Sequence, residues 1–203
     1  TNRMFLTRSV FSRLAQRSSV GPAQLRSTTI LCVRKANQVV MIGDGQVSRG
    51  NTVTKKNAVK VRALSPKIVA GIAGGAADAL TLYERLESKL EEFPNQLIRA
   101  AIELGKDWRS DKYLRQLEAV MLVADEKYSL LVSGTGEVIE FSDVMAIGSG
   151  GDYALACAQG LIDIEQLDAQ AIAQKAMKVA ADICVFTNHH TTIHRIDIDD
   201  NNQ

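Results

Sequence analysis

The order of elements written in this sequence predicts an α+β domain: two antiparallel sheets with helices on their outer faces. Three observations predict it. Apolar, β-branched runs are separated mostly by short turn signals, so neighbouring strands are joined as hairpins. Helical periodicity appears in two separate pairs, over 76–108 and 153–182, each following a block of strands. The chain has 203 residues, 46% hydrophobic and 23% charged, enough for one domain with a sizeable core and a leader.

Residues 28–34 alternate and are rich in β-formers, and 38–43 follow after an Ala36-Asn37 turn, which makes a hairpin. Gly43-Asp44-Gly45-Gln46 reads as a tight turn, because Asp-Gly pairs favour positive φ. Residues 58–64 and 68–72 are strands around Ser65-Pro66. Gly74-Gly75 opens a helix over 76–93, with Leu80, Leu82, Leu86 and Leu90 close to helical spacing, and Pro94-Asn95 breaks it. A second helix covers 96–108. Strands return at 119–124, 129–132 and 138–140, with turns at Asp125-Glu126 and Gly134-Thr135-Gly136. A short strand ending in Ala146-Ile147 passes through Gly148-Ser149-Gly150-Gly151 into a helix at 153–160. The last helix covers 169–182, and 191–198 alternates as a final strand. Hairpin connections argue against a doubly wound parallel sheet.

Residues 1–27 differ in kind. They hold Arg3, Arg8, Arg13, Arg17 and Arg26 and no acidic residue; the first acid is Asp44. Arginine-rich, serine-rich and acid-free is the composition of a mitochondrial transit peptide, although a basic arm for an anionic surface shares it. Arg26 stands two residues before Thr28, as at many matrix processing sites. The expectation is a removed leader, 1–27, and a mature domain, 28–203, in the mitochondrial matrix. The formal net charge of +1 hides this asymmetry, since the remainder is acidic overall. Nucleic-acid binding is not indicated. Cys32, Cys157 and Cys184 have no CxxC spacing, so neither a disulfide framework nor a zinc site is expected. No apolar run reaches the length of a membrane span, so no membrane partner is expected.

A cut before Thr28 places a hydroxyl and a free α-amine on one residue. An α-amine titrates near ~7.7–8, so it can take the hydroxyl proton directly or through one water. An ordinary strand threonine is the plainer reading of Thr28 alone. Lys60, on the same face as Ala58 and Arg62, would lower the pKa of a nearby amine if that face were inward, with Asp44 as its carboxylate partner. Spacing alone is equally served by an exposed edge-strand lysine and a turn aspartate. Ser149 lies in an amide-rich turn that can bind an anion or bond the amine. No Walker motif is present, so no nucleotide is expected on this chain. His189, His190 and His194 lack acids or cysteines at ligand spacing and read as surface residues.

Several blocks, taken in order, resemble the HslV family. They are Thr28-Thr29-Ile30, Gly43-Asp44-Gly45-Gln46-Val47, Gly50-Asn51-Thr52-Val53, Lys60-Val61-Arg62, residues 70–79 (Ala-Gly-Ile-Ala-Gly-Gly-Ala-Ala-Asp-Ala), Lys106-Asp107-Trp108-Arg109, Leu117-Glu118-Ala119, residues 146–151 and residues 182–188. HslV proteins are peptidases of the bacterial-type ATP-dependent HslUV protease and relatives of proteasome β-subunits. The resemblance spans nearly all of 28–195. It implies a four-layer αββα sandwich of the N-terminal nucleophile hydrolase type and a threonine peptidase acting on unfolded polypeptides. It implies Thr28 as nucleophile, Lys60 as the amine-tuning cation, Asp44 as its partner, Ser149 near the amine and the Gly74 N–H as oxyanion donor. It also implies a sodium ion on the backbone carbonyls of Ala181, Cys184 and Thr187, with Ala181 in place of a common glycine. The implied assembly is a homo-oligomer of two stacked hexameric rings, a dodecamer, capped by an HslU-type AAA+ ATPase that does the unfolding. A leader longer than the bacterial one and a less basic stretch at Val59, Ala63, Ser65 and Pro66 are departures. The competing functions are an N-terminal nucleophile amidase on small molecules and a noncatalytic ring subunit.

Overall fold

The computed structural model describes residues 28–117 and 119–198. The proposed leader lies outside them. Two sheets face each other. The first has strand order β10-β1-β2-β11, where β1 is Thr29–Lys35, β2 Gln38–Asp44, β10 Val144–Gly148 and β11 Thr191–Asp197. The second has order β5-β6-β7-β8-β9, with β5 Val61–Ser65, β6 Ile68–Gly74, β7 Ala119–Ala124, β8 Ser129–Ser133 and β9 Val138–Glu140. All pairings are antiparallel. A separate hairpin joins β3, Val47–Arg49, to β4, Thr52–Lys55.

Helices α1, Ala76–Glu92, and α2, Leu97–Ser110, cover the second sheet; α3, Gly151–Leu161, and α4, Ala169–Ile183, cover the first. The result is four layers with three apolar cores between them. Strand periodicity decides which residue enters which core, because successive side chains point to opposite faces. On β1, Leu31 and Val33 point to α3 and α4, while Ile30 and Cys32 point to the other sheet. On β7, Met121 and Val123 point to α1 and α2, while Leu122 and Ala124 point to the first sheet. Both faces of these strands are covered, so they read as near-continuous apolar runs. Burial in that central core pushes the Cys32 thiol up to about 12 and makes it inert.

The helical layers differ in grain. Ala154, Ala158, Ala169, Ala173, Ala176 and Ala180 are buried against the first sheet, whereas Trp108, Tyr83, Leu82, Leu86 and Leu104 fill the second layer. Arg34 ties the sheets together at one end. It donates to Ser129 Oγ at 3.0 Å and to the carbonyls of Glu126 and Asp125 at 2.8 and 2.7 Å.

Three local expectations need correction. Asp44 is no turn residue: β2 runs through it, and Gly45 does not have positive φ. Glycine is required at 45 for closeness instead, since a Cβ there would lie 2.6 Å from the Lys56 carbonyl oxygen. Lys60 precedes its strand, which begins at Val61. The β3–β4 hairpin around Gly50-Asn51 was not expected as strand at all; its strands are short and β4 is exposed throughout, so no apolar alternation marks it.

Candidate active site

Thr28 precedes β1 at the end of the sandwich where the two sheets come together, and it is 5% exposed. Two clefts meet at it. One is walled by Lys60, Arg62, Ile72, Leu80 and Tyr83, the other by Arg115, Leu117, Ser133, Thr135 and Ser149; Gly74 lines both. Thr28 and Gly74 thus stand where the two clefts share their lining.

The first side of Thr28 is made of side chains. Asp44, last residue of β2, is buried, and four donors surround its carboxylate. Oδ1 accepts from the Thr29 N–H and from Lys60 Nζ, both at 2.8 Å. Oδ2 accepts from the Gln46 N–H at 2.8 Å and the Asn188 N–H at 3.3 Å. The Lys60 side chain is 8% exposed and its partner's is 0%. Burial pulls the Lys60 pKa below the usual lysine value, and the Asp44 charge and hydrogen bond oppose that fall. Of the two readings that spacing left open for Lys60 and Asp44, the structure takes the buried pair. No local pattern revealed it, because the pair joins residues 16 apart through the packing of one sheet on the other.

The second side is made of backbone. The Ser149 N–H donates to the Thr28 carbonyl at 2.7 Å, while the exposed Ser149 side chain lines the cleft. Gly148, which pairs with Thr29, has φ +91, and a Cβ on it would lie 2.0 Å from the Thr28 oxygen. Only glycine passes there. The Gly150 N–H donates to Thr29 Oγ1 at 3.0 Å, and Thr29 Oγ1 shares a 2.6 Å hydrogen bond with Thr187 Oγ1. A Cβ on Gly150 would lie 2.5 Å from both hydroxyl oxygens. Thr29, Thr187 and Asn188 are therefore positioning residues that sequence reasoning did not assign to this centre. The signal was a pair of hydroxyls 158 residues apart, invisible until β1 and the segment after α4 meet.

Ala181 lies in the last turn of α4, Cys184 caps it, and Thr187 follows three residues beyond the cap. The Cys184 N–H closes on the Ala180 carbonyl at 2.8 Å, and the Thr187 N–H reaches the Cys184 carbonyl at 3.0 Å. A helix end offers carbonyl oxygens at the negative pole of its dipole, a donor set that suits a hard cation. Among the described residues no group of three His, Cys, Asp or Glu side chains is placed to hold a metal ion. His189 Nε2 meets Asp182 Oδ1 at 3.2 Å on the surface, and its imidazole is 61% exposed.

The sequence matches the family model described as proteasome subunit over residues 25–196. The chain belongs to that family. It is 58% identical over 172 residues to the ATP-dependent protease subunit HslV of Wolbachia sp. subsp. Brugia malayi, covering 84% of this chain and 98% of that protein. Its fold matches the crystal structure of eukaryotic HslV from Trypanosoma brucei with a TM-score of 0.81 and 48% identity, over 83% of this chain and 99% of that one. Thiobacillus denitrificans BPH in complex with epoxomicin matches with a TM-score of 0.71 over 84% of this chain and 99% of that one; at 23% identity it shows the fold alone.

Proposed function

We propose that this proteasome-family chain is the peptidase subunit of an HslV-type, ATP-dependent protease, cleaving unfolded polypeptides with Thr28 as an N-terminal nucleophile. The observation that carries the assignment of residues is the buried Lys60–Asp44 pair, whose carboxylate also holds the Thr29 N–H one residue from the nucleophile. Removal of 1–27 frees the Thr28 amine. The amine takes the Thr28 Oγ1 proton, directly or through one water, and Oγ1 adds to the scissile carbonyl carbon. The Gly74 N–H stabilises the oxyanion. The amine then gives its proton to the departing amine of the substrate, and a water that it deprotonates hydrolyses the ester. The Lys60 ammonium favours the neutral, basic form of that amine, and Asp44 keeps Lys60 charged and in place. Ser149 fixes the Thr28 carbonyl through its N–H and sets its hydroxyl at the mouth of the cleft.

The wider reading has four parts. The leader directs the chain to the mitochondrial matrix and is cut between Ser27 and Thr28. Twelve copies form two stacked hexameric rings with Thr28 facing inward. An HslU-type AAA+ ATPase docks on the rings, unfolds substrates and orders the loops around Thr28, a population shift rather than new chemistry. Sodium on the carbonyls of Ala181, Cys184 and Thr187 would neutralise the end of α4 and brace the segment that carries Thr187 and Asn188; it takes no part in the reaction.

A single comparison tests this. The mature protein, its N-terminus sequenced as Thr-Thr-Ile-Leu, is assayed with and without the ATPase and ATP, beside Thr28→Ala. Stimulated peptide cleavage and degradation of a folded protein are expected only for the wild type with ATPase. Normal cleavage by correctly processed Thr28→Ala refutes the nucleophile. Degradation of a folded substrate without ATPase favours a self-sufficient hydrolase, and turnover of small amides alone favours the amidase. A wild-type protein that assembles but cleaves nothing under any condition is a noncatalytic subunit.

A further inference from the structure

Lys60 lies in a stretch, 57–60, that belongs to no helix or strand, yet its ammonium must sit beside Asp44 within hydrogen-bond distance. Its main chain is held at Ala58, whose N–H donates to the Gly45 carbonyl at 2.9 Å, and at Lys60 itself. The Lys60 carbonyl accepts a long bond, 3.4 Å, from the Ile72 N–H. Its short bond, 2.8 Å, comes from the Tyr83 hydroxyl. That hydroxyl also lies 3.1 Å from the Ala70 carbonyl, but a phenol has one proton and the shorter contact is to Lys60. Tyr83 is only 3% exposed and sits on α1 between the fully buried Leu82 and Leu86, so its ring cannot drift. The Arg62 guanidinium covers the ring at 4.7 Å from the centroid. Burial raises the Tyr83 pKa well above the ordinary tyrosine value, so the hydroxyl remains a donor.

We propose that Tyr83 is a positioning residue for the reaction: through the Lys60 carbonyl it anchors the irregular segment whose side chain tunes the Thr28 amine. Helix α1 thereby reaches the catalytic centre without touching the reacting atoms. The inference rests on the peptidase reading above. Tyr83 also walls the cleft at Thr28, so two roles must be separated: a wall touched by substrate governs KM, whereas a brace on Lys60 governs kcat.

Tyr83→Phe keeps the ring and the Arg62 stack and removes only the hydroxyl. Peptide hydrolysis by the mature, ATPase-activated protein is measured for wild type, Tyr83→Phe and Thr28→Ala, with ring assembly and melting midpoint recorded for each. If Tyr83→Phe melts early, rates are compared below both midpoints. The expected result is a kcat lowered roughly three- to tenfold, the span of one lost hydrogen bond, at unchanged KM. An unchanged kcat overturns the proposal, even if the midpoint falls, because the hydroxyl is then only structural. A raised KM at unchanged kcat overturns it as well, since Tyr83 is then a substrate contact. Wild-type hydrolysis that does not depend on Thr28 defeats the peptidase mechanism itself, a failure visible before Tyr83 is considered.

Discussion

The two sides of Thr28 hold it by different means. On one side Asp44 and Lys60 are nearly enclosed, and charged side chains with four donors on one carboxylate set the local field. On the other, the stretch 148–151 works through main-chain N–H groups and through missing side chains: Ser149 N–H on the Thr28 carbonyl, Gly150 N–H on Thr29, and two glycines that let the strands close up. The first side is specific in chemistry and the second in volume. A conservative change in charge type should therefore harm the first, and the smallest added carbon should harm the second.

The largest effect is expected at Lys60. Lys60→Ala leaves Asp44 buried without its cation, a change that typically costs about 3–5 kcal/mol, and it removes the charge proposed to tune the amine. Peptide cleavage should fall to background while circular dichroism still reports a folded chain. Lys60→Arg should fail too, because a planar guanidinium does not replace a compact ammonium on Asp44 Oδ1. Full activity in Lys60→Arg would reduce this side to long-range charge and break the contrast.

Gly148→Ala comes next. Its Cβ would collide with the Thr28 oxygen, and left-handed backbone adds strain of roughly 1–3 kcal/mol for a non-glycine residue. Activity should fall at least as far as stability, read by melting and turnover together. A neutral Gly148→Ala would show that β10 can move away from Thr28 and that volume does not govern this side.

The pH–rate profile sharpens the first side alone. Lys60 titrates below the ordinary lysine value of 10.5. Its ammonium is present below its own pKa and lost above it. Because the charged Lys60 is proposed to hold the Thr28 amine neutral, the acid limb of kcat should lie below the ordinary α-amine range of ~7.7–8, with the protein still folded by light scattering and circular dichroism. A limb within or above that range would show an amine that Lys60 does not tune.

The smallest effect is expected for Ser149→Ala. The backbone N–H that holds Thr28 survives the substitution, so a loss of only a few-fold is expected, about the worth of one hydrogen bond at ~0.5–1.5 kcal/mol. Cleavage assays that put Ser149→Ala level with Lys60→Ala would make the Ser149 hydroxyl a full member of the chemistry.

Much of this architecture was legible in one dimension. Boundaries such as 119–124 and 138–140 were read to the residue, because turn signals at Asp125 and Gly134-Thr135-Gly136 bracket them. The helix at 76–93 ends one residue early, at Glu92, with Phe93 as its cap. The failures share a cause. Asp44 and Gly45 looked like a turn since Asp-Gly usually makes one, but β2 continues through Asp44 while pairing with Thr191 on β11, and a tertiary partner outweighed the local propensity.

Sequence by itself determined the order of the helices and of the strands in the two large sheets, the two-sheet class, the family motifs and Thr28 as the first candidate, because each is a matter of period, turn chemistry or a short run of residues. Only the tertiary structure decided that Lys60 is buried on Asp44, that Thr29 and Thr187 share a hydrogen bond, and that Tyr83 reaches the Lys60 carbonyl. Those contacts join residues far apart in the chain, and they exist because two sheets packed face to face bring the end of β2, the approach to β5 and the segment after α4 to one end of the sandwich. Burial there removes competing water, which is what turns a lysine and an aspartate of ordinary spacing into a fixed, mutually dependent pair.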